Sequence, residues 1–303
     1  MFQLTSANQS ALEEAVVIAA AEHERREFRG SGVYGRTFYL GDHDASYPGL
    51  CIKYNDNGTL RSEHAMLQRV YALACSDGDA APHVPRPIHC FERSPALVYL
   101  VMDHIEQVDV PEAELVEKAA SVVQWLRSKR FNVEEPFGLM PDFPVYHKLF
   151  RWRRAPLIFT NVAAAERWFN VVLRQIRRSR EPLAEISFIT EDVVLTQSDM
   201  HASNFGVASD GRGILYDAAS IGGLPLSLAN LTLLRTSPFA AAVAQHIFDP
   251  EESAQLLASS NMKSLVAVRK QLTWTFDDRF GLDEDGYLVN SSSRSIITPQ
   301  PMS

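Results

Sequence analysis

The stretch LTQSDMHASNFGVASDGRGILYD (195–217) holds two aspartates and an asparagine at a spacing that invites a chemical reading. Asp199 precedes Asn204 by five positions, and Asp217 follows Asn204 by thirteen. Between Asn204 and Asp217 stand a short apolar run, a Ser-Asp-Gly turn and a second apolar run, the pattern of a hairpin. Asp and Asn are common turn residues, so a purely structural role is open to all three. A joint chemical role for these oxygen-bearing side chains needs support from elsewhere in the chain.

That support stands upstream. GSGVYG fits G-x-G-x-x-G with Gly30, Gly32 and Gly35, and Ser31 lies between the first two. In a dinucleotide-binding unit this motif ends a strand and opens a helix. Here RTFYL follows, which reads as a strand. A glycine loop inside a hairpin suits instead a flap whose backbone covers nucleotide phosphates, where glycine permits close approach and positive φ. Lys53 lies in the apolar strand LCIKY. Its charge is costly to bury without a partner, so it is either an edge-strand lysine facing water or a phosphate-binding lysine that needs a carboxylate. Glu63, on the next helix, is the natural candidate for that carboxylate. YLVMDHIE (99–106) suits a hinge around Met102, with backbone groups of Asp103, His104 and Ile105 offered to an adenine edge.

The elements that must position these residues are legible in outline. A helix is expected over 9–27, strands within 28–41 and 48–55, and a helix over 59–75 with Thr59 as its cap. Strands follow at 88–92 and 96–106. After a boundary near 105–110 the texture turns helical, over 111–129, 162–180 and much of 226–275. The only strand-like pieces there are near 205–208 and 213–216. From about 283 the chain is polar and Ser-rich, a candidate for a poorly ordered tail.

Composition bounds the classes. With 303 residues, 46% hydrophobic and 22% charged, the chain is long enough for two lobes. A net charge of −8 argues against a nucleic-acid binder. Cys51, Cys75 and Cys90 form no C-x-x-C pair and are odd in number, as in a reduced cytoplasmic protein. The run AVVIAAA (15–21) is far too short to span a membrane. Residues 148–180 carry nine Lys/Arg against the single Glu166, so the rest of the chain sums to about −16. A helix pair with solvated basic faces is the preferred reading of that stretch; a basic docking surface is the alternative.

Glycine flap, strand lysine, helix glutamate, hinge, then SDMHASN and LYD, in this order, resemble the protein-kinase-like fold. The chain is most similar to its small-molecule branch, the aminoglycoside phosphotransferase and choline kinase group, whose catalytic loop reads roughly H-G-D-L-H-x-x-N before a hairpin and a second Asp. The resemblance covers roughly residues 28–225. It implies an α+β fold of two lobes: a β-rich lobe over 1–105, a larger helical lobe over 106–282 and a tail over 283–303. It also implies an ATP-dependent transfer of the γ-phosphoryl group to a hydroxyl or amine of a small molecule. Asp217 and Asn204 would then hold Mg²⁺ through hard oxygen ligands. Asp199 would take or orient the proton of the acceptor, and His201 would donate to the γ-phosphate or the substrate.

Three departures from the pattern stand out. Gln197 replaces the histidine that usually opens the loop, Asp217 is followed by Ala-Ala-Ser rather than Phe-Gly, and no A-P-E element follows. The last two argue against a regulated protein kinase. Gln197 keeps open the alternative of a catalytically weak nucleotide-binding pseudokinase acting by interaction. YHKLFRWRRAPLIF (146–159) and 162–180 are expected to wall the acceptor pocket. Trp125, Trp152, Trp168 and Phe169 are expected in the core, and the acidity outside 148–180 leans toward a cationic acceptor.

Overall fold

The structure, a computed structural model, describes residues 2–27, 36–55, 59–93, 97–176, 182–273, 275 and 278–289. The glycine loop with Gly30, Ser31, Gly32 and Gly35 lies outside the described residues. A helix, α1 (Gln9–Glu27), precedes a four-stranded antiparallel sheet of β1 (Thr37–Tyr39), β2 (Leu50–Asn55), β3 (Pro87–Arg93) and β4 (Leu97–Asp103), in the order β1-β2-β4-β3. The period of two along β2 sets the two faces. Leu50, Ile52 and Tyr54 are buried and form one core with Leu12, Val16, Ala19 and Ala20 of α1. Cys51, Lys53 and Asn55 therefore point the other way. β2 is a central strand, with Lys53 opposite Thr37 and Leu100, so the edge-strand reading of Lys53 is excluded.

The opposite face of the sheet is covered by α2 (Thr59–Asp77). Its buried stripe runs Leu60, Glu63, Leu67, Val70, Ala74 at helical spacing. Four of these are apolar, and Glu63 is an acid set among them. Leu60, Met66, Leu67 and Val70 share a second core with Val98 and Leu100 of the sheet and with Ala218 and Ile221 of the later chain. α2 thus ties the sheet to the helical part of the chain.

That later part is mostly helical: α3 (Glu112–Arg127), α4 (Val162–Arg174), α5 (Leu226–Arg235), α6 (Pro238–Ile247), α7 (Pro250–Ala258) and α8 (Ser260–Leu272). α4, α5 and α8 enclose a third core around Trp168, Phe169, Leu231 and Leu265. Between the helices lie a three-stranded sheet, β5 (Arg130–Phe131), β6 (Val193–Gln197) and β9 (Ile221–Pro225), and a hairpin of β7 (Phe205–Val207) and β8 (Gly213–Leu215). The hairpin matches the expectation from sequence. The three-stranded sheet corrects it: β6 and β9 are buried at every position, so they show no alternation for a period-two reading to find.

Two further expectations change. Residues 148–161 are not helical, so the basic stretch is a loop followed by one described helix, α4, rather than a helix pair. Part of the segment expected as a polar tail packs on α4: the Arg167 side chain donates to the Asp285 carbonyl at 2.8 Å. Among the described residues no helix is long and apolar enough to cross a membrane.

Candidate active site

Lys53 leaves β2 on the side away from α1 and meets Glu63 across from α2. Its ammonium lies 2.9 Å from the Glu63 carboxylate and 2.5 Å from Asp217 Oδ1. Burial by itself disfavours the Lys53 charge, but the carboxylates of Glu63 and Asp217 outweigh it and hold the ammonium pKa above its ordinary value. Glu63 is 2% exposed. Burial pushes its carboxyl up, the Lys53 charge draws it part of the way back, and the negative Asp217 raises it again. One cation therefore serves two carboxylates from opposite ends of the chain.

The chain reaches Asp217 through β8, and Asp217 has a left-handed backbone, φ 54° and ψ 74°. Few residues with a Cβ adopt this region, Asp and Asn among them, and such strain persists only where the surroundings fix it. Gln197 supplies part of that fixing. Its Nε2 donates to the Asp217 carbonyl at 2.9 Å, and its Oε1 accepts from the Asp199 N–H at 3.1 Å. The glutamine thus bridges the two aspartate-bearing turns.

Asn204 is 7% exposed, and its Nδ2 donates to the Asp199 carbonyl at 2.7 Å. That bond orients the amide, leaving Oδ1 as the outward-facing oxygen. The Asn204 carbonyl accepts from the Tyr216 N–H at 2.9 Å, which places Asn204 beside Asp217 at the mouth of the hairpin. Both line a cleft of about 760 Å³ between the four-stranded sheet and the hairpin, together with Lys53, Cys51 and Tyr39. Among the described residues no three His, Cys, Asp or Glu side chains could hold a metal ion by themselves. One carboxylate and one amide oxygen suit instead a hard cation whose remaining ligands are water and phosphate oxygens, as is usual for Mg²⁺.

Met102, Asp103, His104 and Ile105 line the same cleft. The hinge expectation is corrected in one respect. The Asp103 N–H donates to the Arg86 carbonyl at 3.0 Å and the His104 N–H to the Gly49 carbonyl at 2.8 Å, so neither is an open donor for an adenine edge. The Asp103 carboxylate is held by Arg86 Nε at 2.8 Å.

Asp199 and His201 stand apart from the cleft lining. His201 is exposed, with Nδ1 2.7 Å from Ser203 Oγ, and caps the short turn that carries Asn204. The Asp199 carboxylate meets two cations that sequence reasoning did not connect with it: Lys148 Nζ at 2.6 Å and Arg153 Nη1 at 3.9 Å. Both come from the turn at 145–155, inside the basic stretch. The only signal in the sequence was that local excess of charge. Tyr39 and Tyr216 were also missed. The Tyr39 ring lies 4.0 Å from the His104 ring in the cleft, and Tyr216 OH donates to the Ile105 carbonyl at 3.3 Å.

The turn that presents Lys148 is pinned by His147, itself 2% exposed. The Leu149 N–H donates to Nδ1 at 2.9 Å, and Nε2 lies 2.8 Å from Thr232 Oγ1 on α5. An imidazole that accepts at Nδ1 is neutral. Burial, then the Arg269 charge, push its pKa from 6.5 down to about 4. Between these values the unfolded chain binds the proton and the folded chain does not, so stability falls as pH drops through the window. A shift of this size corresponds to about 3 kcal/mol at full extent. Urea unfolding at about pH 7 and about pH 4 should show that loss, and His147→Gln should flatten it.

Comparison with known proteins gives two results. The sequence matches no protein-family model and no curated protein sequence. Among solved structures, it is similar to the apo form of a thermostable aminoglycoside phosphotransferase, APH(4)-Ia, at 17% identity, over 80% of this chain and 83% of that one, with a TM-score of 0.46. It is also similar to APH(2'')-IIa in a ternary complex with streptomycin and ATP, at 12% identity over 94% and 95% of the two chains, TM-score 0.46. A fructosamine-3-kinase assignment from Haemophilus somnus aligns at 12% identity over 73% of each chain, TM-score 0.43. From this chain alone, the architecture is α+β, an antiparallel four-stranded sheet followed by a mostly helical part, with Lys53 joined to both Glu63 and Asp217.

Proposed function

We propose that this protein is an ATP-dependent kinase of a small molecule, with the nucleotide in the 760 Å³ cleft. The observation that carries the reading is Lys53, set in a central strand and held by a buried carboxylate on one side and Asp217 on the other. A half-buried ammonium lining a cleft at the level of a potential metal ligand is placed to contact phosphate oxygens. The lobe boundary is drawn at about residue 105, and the glycine loop, with Gly30, Ser31, Gly32 and Gly35, would cover the phosphates. The ribose and adenine would lie toward Tyr39 and Met102–Ile105, with carbonyl oxygens and the Ile105 N–H as the remaining hinge groups.

Asp217 and Asn204 would hold Mg²⁺, which when bound neutralises charge on the transferring phosphoryl group. In the reaction the acceptor oxygen or nitrogen forms a bond to the γ-phosphorus, the bond from that phosphorus to the β-bridging oxygen breaks, and ADP departs. The acceptor proton passes to Asp199 and from it to solvent. His201 stays a candidate for contact with the γ-phosphate or the acceptor. Gln197 weighs against a pseudokinase, because it does the supporting work that its replacement of histidine had put in doubt.

Asp217→Ala tests the nucleotide and metal site. Calorimetry should find MgATP bound by the wild-type chain and its affinity lowered by about tenfold or more in the variant, in line with the loss of a charge-assisted contact. Equal MgATP affinity in the two chains would overturn the metal assignment.

A further inference from the structure

The acceptor side of Asp199 is built from cations. Lys148, with a side chain 19% exposed, contacts Oδ1, and Arg153, 70% exposed, approaches Oδ2. Lys148 has three N–H donors and gives one to Asp199; the Arg153 guanidinium, at 3.9 Å, is too far for a hydrogen bond. Neither residue lines the nucleotide cleft. Trp152, expected in the core, is instead 70% exposed at the tip of the same turn, with the Arg151 guanidinium 4.9 Å from its ring.

A purely structural role for these ion pairs is the competing explanation. The Arg153 approach, long and with its side chain exposed, adds only about 0–1 kcal/mol, and the turn has other supports. Leu149 and Phe150 are buried, and backbone bonds run from His147 to the Arg153 carbonyl at 2.9 Å and from Ala155 to the Val145 carbonyl at 2.7 Å. Arg153 itself has φ 57°, a left-handed backbone that its own N–H, donating to the Phe150 carbonyl at 2.9 Å, helps to hold. The turn thus fixes the backbone from which the Arg153 guanidinium approaches Asp199.

We propose that Lys148 and Arg153 recognise an oxyanion, a carboxylate or phosphate, on the acceptor, so that the substrate is an anionic hydroxylated small molecule. This deepens the kinase reading and replaces the cationic acceptor expected from overall acidity. Charge summed over the chain says little about a site; the cations within reach of Asp199 decide it. The oxyanion also has a mechanistic use. In the unliganded chain both Asp199 oxygens face cations. An anionic acceptor draws Lys148 and Arg153 onto itself and leaves the carboxylate open to the neighbouring hydroxyl. Binding of the right substrate thereby uncovers the proton acceptor.

The test uses the full chain and matched probes: glycerate with glycerol, gluconate with glucose, and glucose 6-phosphate with glucose. Binding is followed by ligand-observed NMR and calorimetry in the presence of saturating MgADP, which keeps the probes out of the α- and β-phosphate positions. The expected result is that the anionic member of at least one pair binds about tenfold or more tightly than its neutral partner. Lys148→Met and Arg153→Met should each erase most of that preference, and Lys148→Arg should restore it, with thermal unfolding showing that every variant is folded. No preference for the anion in any pair, or a preference that survives both Met substitutions, overturns the proposal. If MgADP itself does not bind, the kinase reading fails separately, and the same titrations without nucleotide still decide whether Lys148 and Arg153 hold an oxyanion.

Discussion

Asp199→Asn is expected to lower turnover by about 10²–10⁴-fold, the usual contribution of a positioned proton acceptor. The amide matches the carboxylate in shape but cannot take the acceptor's proton, and it loses the charge that Lys148 and Arg153 now face. The cost to folding should be small, about 0–1 kcal/mol, since these ion pairs are partly solvated. MgATP affinity should barely change, because the Asp199 side chain stands outside the cleft that Lys53, Asn204 and Asp217 line. Steady-state kinetics with an acceptor that the wild-type chain phosphorylates, beside calorimetry for MgATP, separates the two effects. Full turnover in the variant would remove Asp199 from the chemistry.

Lys53→Met should act on both nucleotide binding and stability. The substitution keeps an unbranched chain of similar length but leaves Glu63, 2% exposed, without its cation and with Asp217 still near. Removing one partner of a buried pair typically costs about 3–5 kcal/mol. The pH dependence has a definite sign. With Lys53 gone, burial and Asp217 push the Glu63 carboxyl further above its ordinary value of 4.5. An acid whose pKa is raised in the folded state binds more protons folded than unfolded, so the variant loses stability as pH rises above about 4.5. Denaturant unfolding across that range should show variant and wild type converging at low pH and separating at neutral pH. The double variant Lys53→Met/Glu63→Gln should recover much of the stability while still binding MgATP poorly. Recovery of binding would mean that Lys53 serves only the fold.

The elements that a single stretch of sequence can signal were largely legible. α2 reads from its apolar stripe, the hairpin of β7 and β8 from its turn, and the flanking strands β2 and β4 from their apolar runs. Strands buried on every side were missed, because β6 and β9 show no alternation. The turn at 145–155 was misread as a solvated basic helix, because a run of arginines and lysines has the same composition whether it faces water or a carboxylate. Trp152 was assigned to the core on hydrophobicity, and its exposure follows from its place at the tip of that turn.

By itself, the sequence singled out the candidate side chains: Lys53, Glu63, Asp199, Asn204 and Asp217 are the residue types that phosphate, metal and proton handling need, in a chain order that limits how they can meet. Only the tertiary structure decided which of them touch. It joined Lys53 to both Glu63 and Asp217, 164 positions away in the chain, and gave Gln197 a bridging role that its identity alone had left in doubt. It also set Asp199 against Lys148 and Arg153. The physical reason is that an ion pair depends on distance and solvent exposure, which burial of three separate cores sets, and neither quantity is written in the spacing of residues along the chain.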